Sequence, residues 1–200
     1  MKTLSRNKAL ELFEAATKEK SGRWIKHSQN VAKAAEQIAS NHPTLDKETA
    51  YVYGLLHDYG RSKEQTRIKH VLSGYEALTR LGYDDVARIC VTHSFPYKND
   101  IGDVFHCEKF KQNEYDFIWK YIQSIEYTDY DKLIQLCDHL AFESRYCLLE
   151  ERMVDIAMRY GVSPLTIENW RCLFEIKAHF EQILDNSVYN IINIIPPPPS

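Results

Sequence analysis

The chain has 200 residues, 44% of them hydrophobic and 26% charged, proportions that suit one soluble domain with a sizeable core. Its formal net charge is -3 and no large basic block is present, which argues against a general binder of nucleic-acid polymers or anionic membranes. A small phosphorylated ligand remains compatible with that charge. Five cysteines, odd in number and without a CxxC pair, argue against a disulfide framework and favour a reducing, cytoplasmic setting.

Breakers are few: 7 Gly and 7 Pro, with four of the prolines at 196–199. The body of the chain holds only Pro43, Pro96 and Pro164, so long helices are expected rather than many short strands. No apolar run approaches a membrane span, and Met1–Lys20 alternates charge with apolar residues, unlike a signal peptide.

Residues 4–18 carry Leu4, Ala9, Leu12, Phe13 and Ala16 at helical spacing, and Ser21-Gly22 breaks the pattern. Arg23–Ser40 is a second helix with Trp24, Val31, Ala35 and Ile38 on one stripe. His27 shares that stripe, and taken alone it reads as a core histidine. After the turn at 41–44, Asp46 caps a third helix that ends in Leu55-Leu56-His57-Asp58-Tyr59-Gly60-Arg61. An imidazole and a carboxylate at the end of an apolar run are costly to bury without compensation. A bound Fe, Mn, Zn or Ni ion is one compensation; a core His beside a helix-terminal Asp is the plainer alternative.

The basic stretch Arg61, Lys63, Arg67 and Lys69 is either a solvated loop or, beside a metal, a phosphate-gripping rim. His70–Leu81 forms the next helix, with Gly74 permitting close packing and Gly82 as its αL stop. Asp84 or Asp85 caps a helix in which Val86, Ile89, Cys90 and His93 follow at i, i+3, i+4 and i+7. Residues 94–115 read as a long connection and a candidate lid, and His106-Cys107 within it as ordinary loop residues rather than a zinc pair. Helical period returns over Asp116–Ile125.

Thr128 with Asp131 resembles a capping box and opens a helix with Asp138 inside its apolar run. That carboxylate either has a strong partner or looks at solvent from the edge of the face. Leu148–Tyr160 and a helix from Ser163-Pro164 to about Leu184 show no chemistry and read as packing, or as a self-association surface. Residues 186–200 read as a loosely held, proline-rich tail. The expected organisation is an N-terminal helix over 1–22, a metal-binding core over 23–145, packing helices over 146–185, and the tail.

His27, His57, Asp58, His70, His93 and Asp138 thus each sit on, or end, an otherwise apolar helical segment. In that order they resemble the ligand set of the HD-domain metal-dependent phosphohydrolases, over about residues 23–145. The resemblance implies an all-α, single-domain helical bundle with the metal site between helices. The members with two extra histidines between the His-Asp pair and the last Asp are typically binuclear, often with iron. By resemblance, His27, His57, Asp58 and Asp138 would hold one ion, with Asp58 bridging to a second held by His70 and His93. Arg61 stands where relatives carry a basic residue; Asp58 and Arg61 are then the candidate catalytic residues, and Arg61, Lys63 and Arg145 the candidate phosphate contacts.

The implied function is hydrolysis of a phosphate ester of a nucleotide or similar small molecule by a metal-activated hydroxide. The cofactors would be one or two Fe, Mn, Ni or Zn ions. The chain also resembles small bacterial members that include symmetrical diadenosine-tetraphosphate hydrolases, which give two ADP. Ser94-Phe95-Pro96-Tyr97-Lys98 departs from the Thr-Gly stretch usual in those. Dioxygen chemistry at a di-iron pair and a non-catalytic nucleotide-binding module are further alternatives. The partners expected are a small phosphorylated substrate and a second copy of the chain.

Overall fold

Local capping chemistry sets where most of the helices begin. In the computed structural model, which describes residues 4–64, 69–99, 101 and 111–194, the Ser5 hydroxyl accepts from the Lys8 N–H to start α1 (Arg6–Glu19). Then follow α2 (Trp24–Ser40), α3 (Lys47–Leu56), a 3-10 turn (Tyr59–Ser62), α4 (Lys69–Arg80) and α5 (Asp84–Thr92). After these come α6 (Gln112–Ser124), α7 (Asp129–His139), α8 (Leu149–Tyr160), α9 (Pro164–Leu184) and the short α10 (Val188–Ile191). The expected caps at Asp46, Thr128 and Ser163 are in place, each accepting from the N–H three residues on.

Some boundaries differ from expectation. Asp84 and Asp85 lie inside the first turn of α5 instead of capping it; Tyr83 holds the cap position, and the two acids act on the helix dipole. α6 starts at Gln112, ahead of its apolar period, because the Glu114 carboxylate accepts from the Lys111 N–H at 2.8 Å. The expected loose tail is corrected over 188–194. Val188 and Ile192 are buried in the core, and the Tyr189 hydroxyl accepts from the Leu149 N–H at 3.2 Å. The four prolines, like Arg67, His106 and Cys107, fall outside the described residues.

The fold is all-α, and the only extended pairing among the described residues is one bridge between Ala141 and Tyr146. One core gathers α2, α7, α9 and α10 around Ile38, Leu133, Leu173 and Phe180. A second joins α1 to α5 around Phe13, Trp24, Leu55 and Leu78, and a third lies beneath α6 around Phe95, Ile118 and Ile122.

Two glycines allow the approaches that bring the polar residues together. A Cβ on Gly54 would stand 2.7 Å from the Ala32 Cα, so α2 and α3 meet backbone to backbone. A Cβ on Gly60 would overlap the His70 carbonyl oxygen, so only glycine lets the turn after Asp58 press against α4.

A buried ionic network fixes α5 against α7. Asp131 is fully buried and accepts from Arg88 Nη2 at 2.7 Å and from the Thr92 hydroxyl at 2.8 Å. The Gln135 side-chain amide donates to the Thr92 carbonyl at 2.9 Å. His93 follows Thr92 and Asp138 lies one turn after Gln135, so this network sets the spacing of two site residues.

Candidate metal centre

All six residues singled out from the sequence converge. His27 comes from the first turn of α2, and His57 and Asp58 from the end of α3. His70 comes from the first turn of α4, His93 from the end of α5 and Asp138 from the last turn of α7. Three overlapping triads account for the whole set: His27, His57 and Asp58; His57, His93 and Asp138; Asp58, His70 and His93. Within each triad the candidate ligand atoms lie within 4.8 Å of one another. Asp58 belongs to two triads, the position from which one carboxylate can serve two ions.

Backbone carbonyls set the imidazole orientations. His57 Nδ1 donates to the Gly54 carbonyl at 2.8 Å, and His93 Nδ1 donates to the Ile89 carbonyl at 3.1 Å. With Nδ1 as the donor, each Nε2 keeps its lone pair and turns it inward. His70 Nε2 stands 3.4 Å from His93 Nε2 and 2.9 Å from Asp58 Oδ1. His27 Nδ1 faces the Ala141 carbonyl at 3.2 Å while its Nε2 stands 2.7 Å from Asp138 Oδ1. Both ring nitrogens of His27 therefore face acceptors, and an electrophile, proton or metal ion, must lie between Nε2 and Oδ1.

The electrostatics agree with that arrangement. Burial pushes His93 down to about 3, helped by the neighbouring His57, and burial also lowers His57. Both rings are thus neutral at pH 7, the form that ligates. Burial works to raise Asp58, but the Arg61 guanidinium and the His57 and His70 rings outweigh it and hold the carboxyl well below its usual range. For Asp138 burial is likewise outweighed, chiefly by the hydrogen bond from His27. His57 Nε2 and Asp58 Oδ1 are buried and have no hydrogen bond of proper geometry. Buried lone pairs without donors are costly, and ions in the middle of the cluster would satisfy both. The mixed nitrogen and oxygen donors therefore fit Fe, Mn, Ni or Zn.

A cavity of about 630 Å³ opens above the cluster and is large enough for a nucleotide-sized ligand. Arg61 lines it and donates from Nε to Asp58 Oδ2 at 2.8 Å. The other two expected phosphate contacts do not reach it. Lys63 pairs with Glu19, and Arg145 pairs with Glu151 at 2.9 Å and stacks over Phe142. Each long side chain is drawn to the nearest surface acid.

The C-terminal helices pack into the core, with Leu149 and Met153 from α8 and Leu173, Ile176 and Phe180 from α9, and they also form a wall of the cavity, a role not expected from the sequence. Arg152, Asp155, Ile156 and Arg159 line it from α8, and Asn169, Trp170 and Leu173 from α9. Their i, i+3, i+4, i+7 recurrence on α8 was present in the sequence as a charged stripe. His139 is another lining residue absent from the expected set. Its Nδ1 donates to the Gln135 carbonyl at 2.9 Å, and burial lowers its pKa. Its adjacency to Asp138 was the available signal. Among the described lining residues, Arg23, Arg61, Arg152 and Arg159 are matched in number by Asp58, Asp138, Glu143 and Asp155.

No helix among the described residues is long and apolar enough to cross a membrane. Comparison with curated proteins and with solved structures returned no match. Comparison with protein families matched residues 24–143, more than half of the chain, to the HD domain. These residues carry the whole His and Asp cluster, and the chain belongs to the HD domain family, within the HD metal-dependent phosphohydrolase superfamily.

Proposed function

We propose that this protein hydrolyses a phosphate ester of a nucleotide or similar small molecule. The reading is carried by one observation: six ionisable side chains from five segments meet at the floor of a cavity of about 630 Å³. His27, His57, Asp58 and Asp138 would hold one ion, and Asp58, His70 and His93 a second. Bound ions of this kind supply Lewis acidity toward phosphoryl oxygens and lower the pKa of water.

The protein's own residues do the rest. Asp58 presents Oδ1 to the cluster because Arg61 holds Oδ2. Arg61 also lines the cavity, where its remaining N–H groups can reach phosphate oxygens. His139 donates from Nδ1 to the Gln135 carbonyl, which leaves Nε2 as the acceptor nitrogen of a ring that lines the cavity. The α8–α9 wall, with Ile156, Trp170 and Leu173, offers apolar surface for the organic part of the ester.

The test is elemental analysis of the purified protein combined with turnover of a phosphate-ester panel on the same preparation. Bound Fe, Mn, Ni or Zn with turnover is expected, and Asp58→Ala should lose both. Full metal content and full turnover in that variant would overturn the assignment. Product chromatography identifies the class: two ADP from diadenosine tetraphosphate marks the symmetrical hydrolase, whereas AMP plus ATP excludes it.

A further inference from the structure

We propose that Arg152 is the receptor for the substrate's phosphate oxygens, and that Asp155 is the acid it leaves when phosphate arrives. The inference rests on the phosphohydrolase reading above and adds a specificity-determining residue from outside the matched residues 24–143.

Arg152 projects from α8 into the cavity wall with its side chain 18% exposed. Its Nε is buried and has no hydrogen-bond partner among the described residues. The ionic contact found for it there is Nη1 to Asp155 Oδ2 at 3.5 Å. That same oxygen is held much more closely by Arg159 Nη2. One carboxylate therefore serves two guanidinium groups, and Arg152 has the longer share.

A largely buried cation with so little compensation is costly. An incoming phosphate relieves that cost, and the planar fork of arginine matches two phosphate oxygens at once. The Phe142 ring centroid lies 5.1 Å from the guanidinium carbon, within cation–π range.

The other arginines of the cavity are partly committed or exposed. Arg61 spends its Nε on Asp58 at 2.8 Å and keeps only its remaining N–H groups for phosphate, and Arg159 is bound to Asp155. Arg23 is 90% exposed and faces Glu143 at 3.6 Å. Arg152 lines the same cavity as His139 and Asp138. Phosphate can thus touch Arg152 while lying near the cluster.

The experiment is calorimetric titration of the full chain, loaded with manganese(II), with inorganic phosphate and with AMP. Arg152→Gln is expected to weaken phosphate binding by roughly tenfold or more, the size of a lost charge-assisted hydrogen bond. Asp155→Asn should tighten it, and Arg145→Gln should leave it unchanged. Manganese content and thermal melting on each variant separate binding from folding. Wild-type affinity in Arg152→Gln, or no phosphate binding by the wild type, overturns the proposal. Where Arg152→Gln melts below the wild type, Asp155→Asn decides: unchanged or weaker affinity overturns it.

Ester turnover on the same preparations keeps the two readings apart. Turnover by the wild type with unaltered phosphate affinity in Arg152→Gln removes Arg152 and leaves the hydrolase. Loss of phosphate affinity in Arg152→Gln when the wild type cleaves no ester keeps the receptor and removes the hydrolase.

Discussion

His57 and His93 do their work by being neutral, and their neutrality is imposed by burial. His93 is depressed to about 3 and His57 is depressed as well, against 6.5 for an exposed imidazole. In the metal-free protein, acid therefore protonates these rings in the unfolded chain first. Stability should be intact above pH 6.5 and fall as the pH drops below it, by up to about 1.4 kcal/mol per pH unit for each such ring. The depressed carboxyls of Asp58 and Asp138 extend the loss below 3.8, where their unfolded forms take up protons. Urea midpoints of chelated protein between pH 5 and 8 test this; a flat profile would count against neutral buried rings. All six ligand-type residues were legible in the sequence because each interrupts an apolar period. His139 was less legible, since one residue among the neighbours of Asp138 carries no periodic signal of its own. Lys63 and Arg145 were misplaced because sequence shows proximity to a motif but not the surface acids, Glu19 and Glu151, that claim them.

At the scale of elements, the network around Asp131 keeps α5 and α7 in register. Removing a fully buried carboxylate leaves the Arg88 guanidinium and the Thr92 hydroxyl without their partner. Asp131→Ala should cost roughly 3–5 kcal/mol, the usual penalty for breaking a buried pair from one side. Chemical denaturation measures it. A loss below about 1 kcal/mol, the range of a surface pair, would show that the network does not hold the helices. Capping made much of this architecture legible: Ser163-Pro164, Asp46 and the Thr128 box all open helices where the side chains predict. The cavity wall was hidden because α8 turns apolar residues to the core and a charged stripe to the cavity, while the cavity face of α9, with Asn169, Trp170 and Leu173, reads as ordinary packing. Periodicity reports that a face is polar; it does not say whether that face meets bulk water or a pocket.

For the molecule as a whole, ion binding and folding stability are linked. An ion that binds only the folded chain stabilises it by about 2.7 kcal/mol at a hundredfold excess over its dissociation constant. Chelation should therefore lower the melting temperature, and readdition of manganese(II) should restore it; differential scanning calorimetry reads both. Equal melting with and without chelator would mean that the ions are not held by the fold. The charge pattern of the cavity adds a dependence on order. Among its described lining residues, four arginines and four carboxylates leave little net field until cations arrive, so an anionic ligand should bind the loaded protein far better than the chelated one.

His27 and Asp138, whose facing atoms lie 2.7 Å apart, are separated by 111 positions along the chain. A ribosome must therefore release most of the polypeptide before the last ligand can meet the first. An ion that needs both His27 and Asp138 cannot template the early stages of such a fold, and its capture there would belong to maturation rather than nucleation. On the proposed reading, metal-free chain should fold to a scaffold less stable than the loaded one and able to take up its ion afterwards.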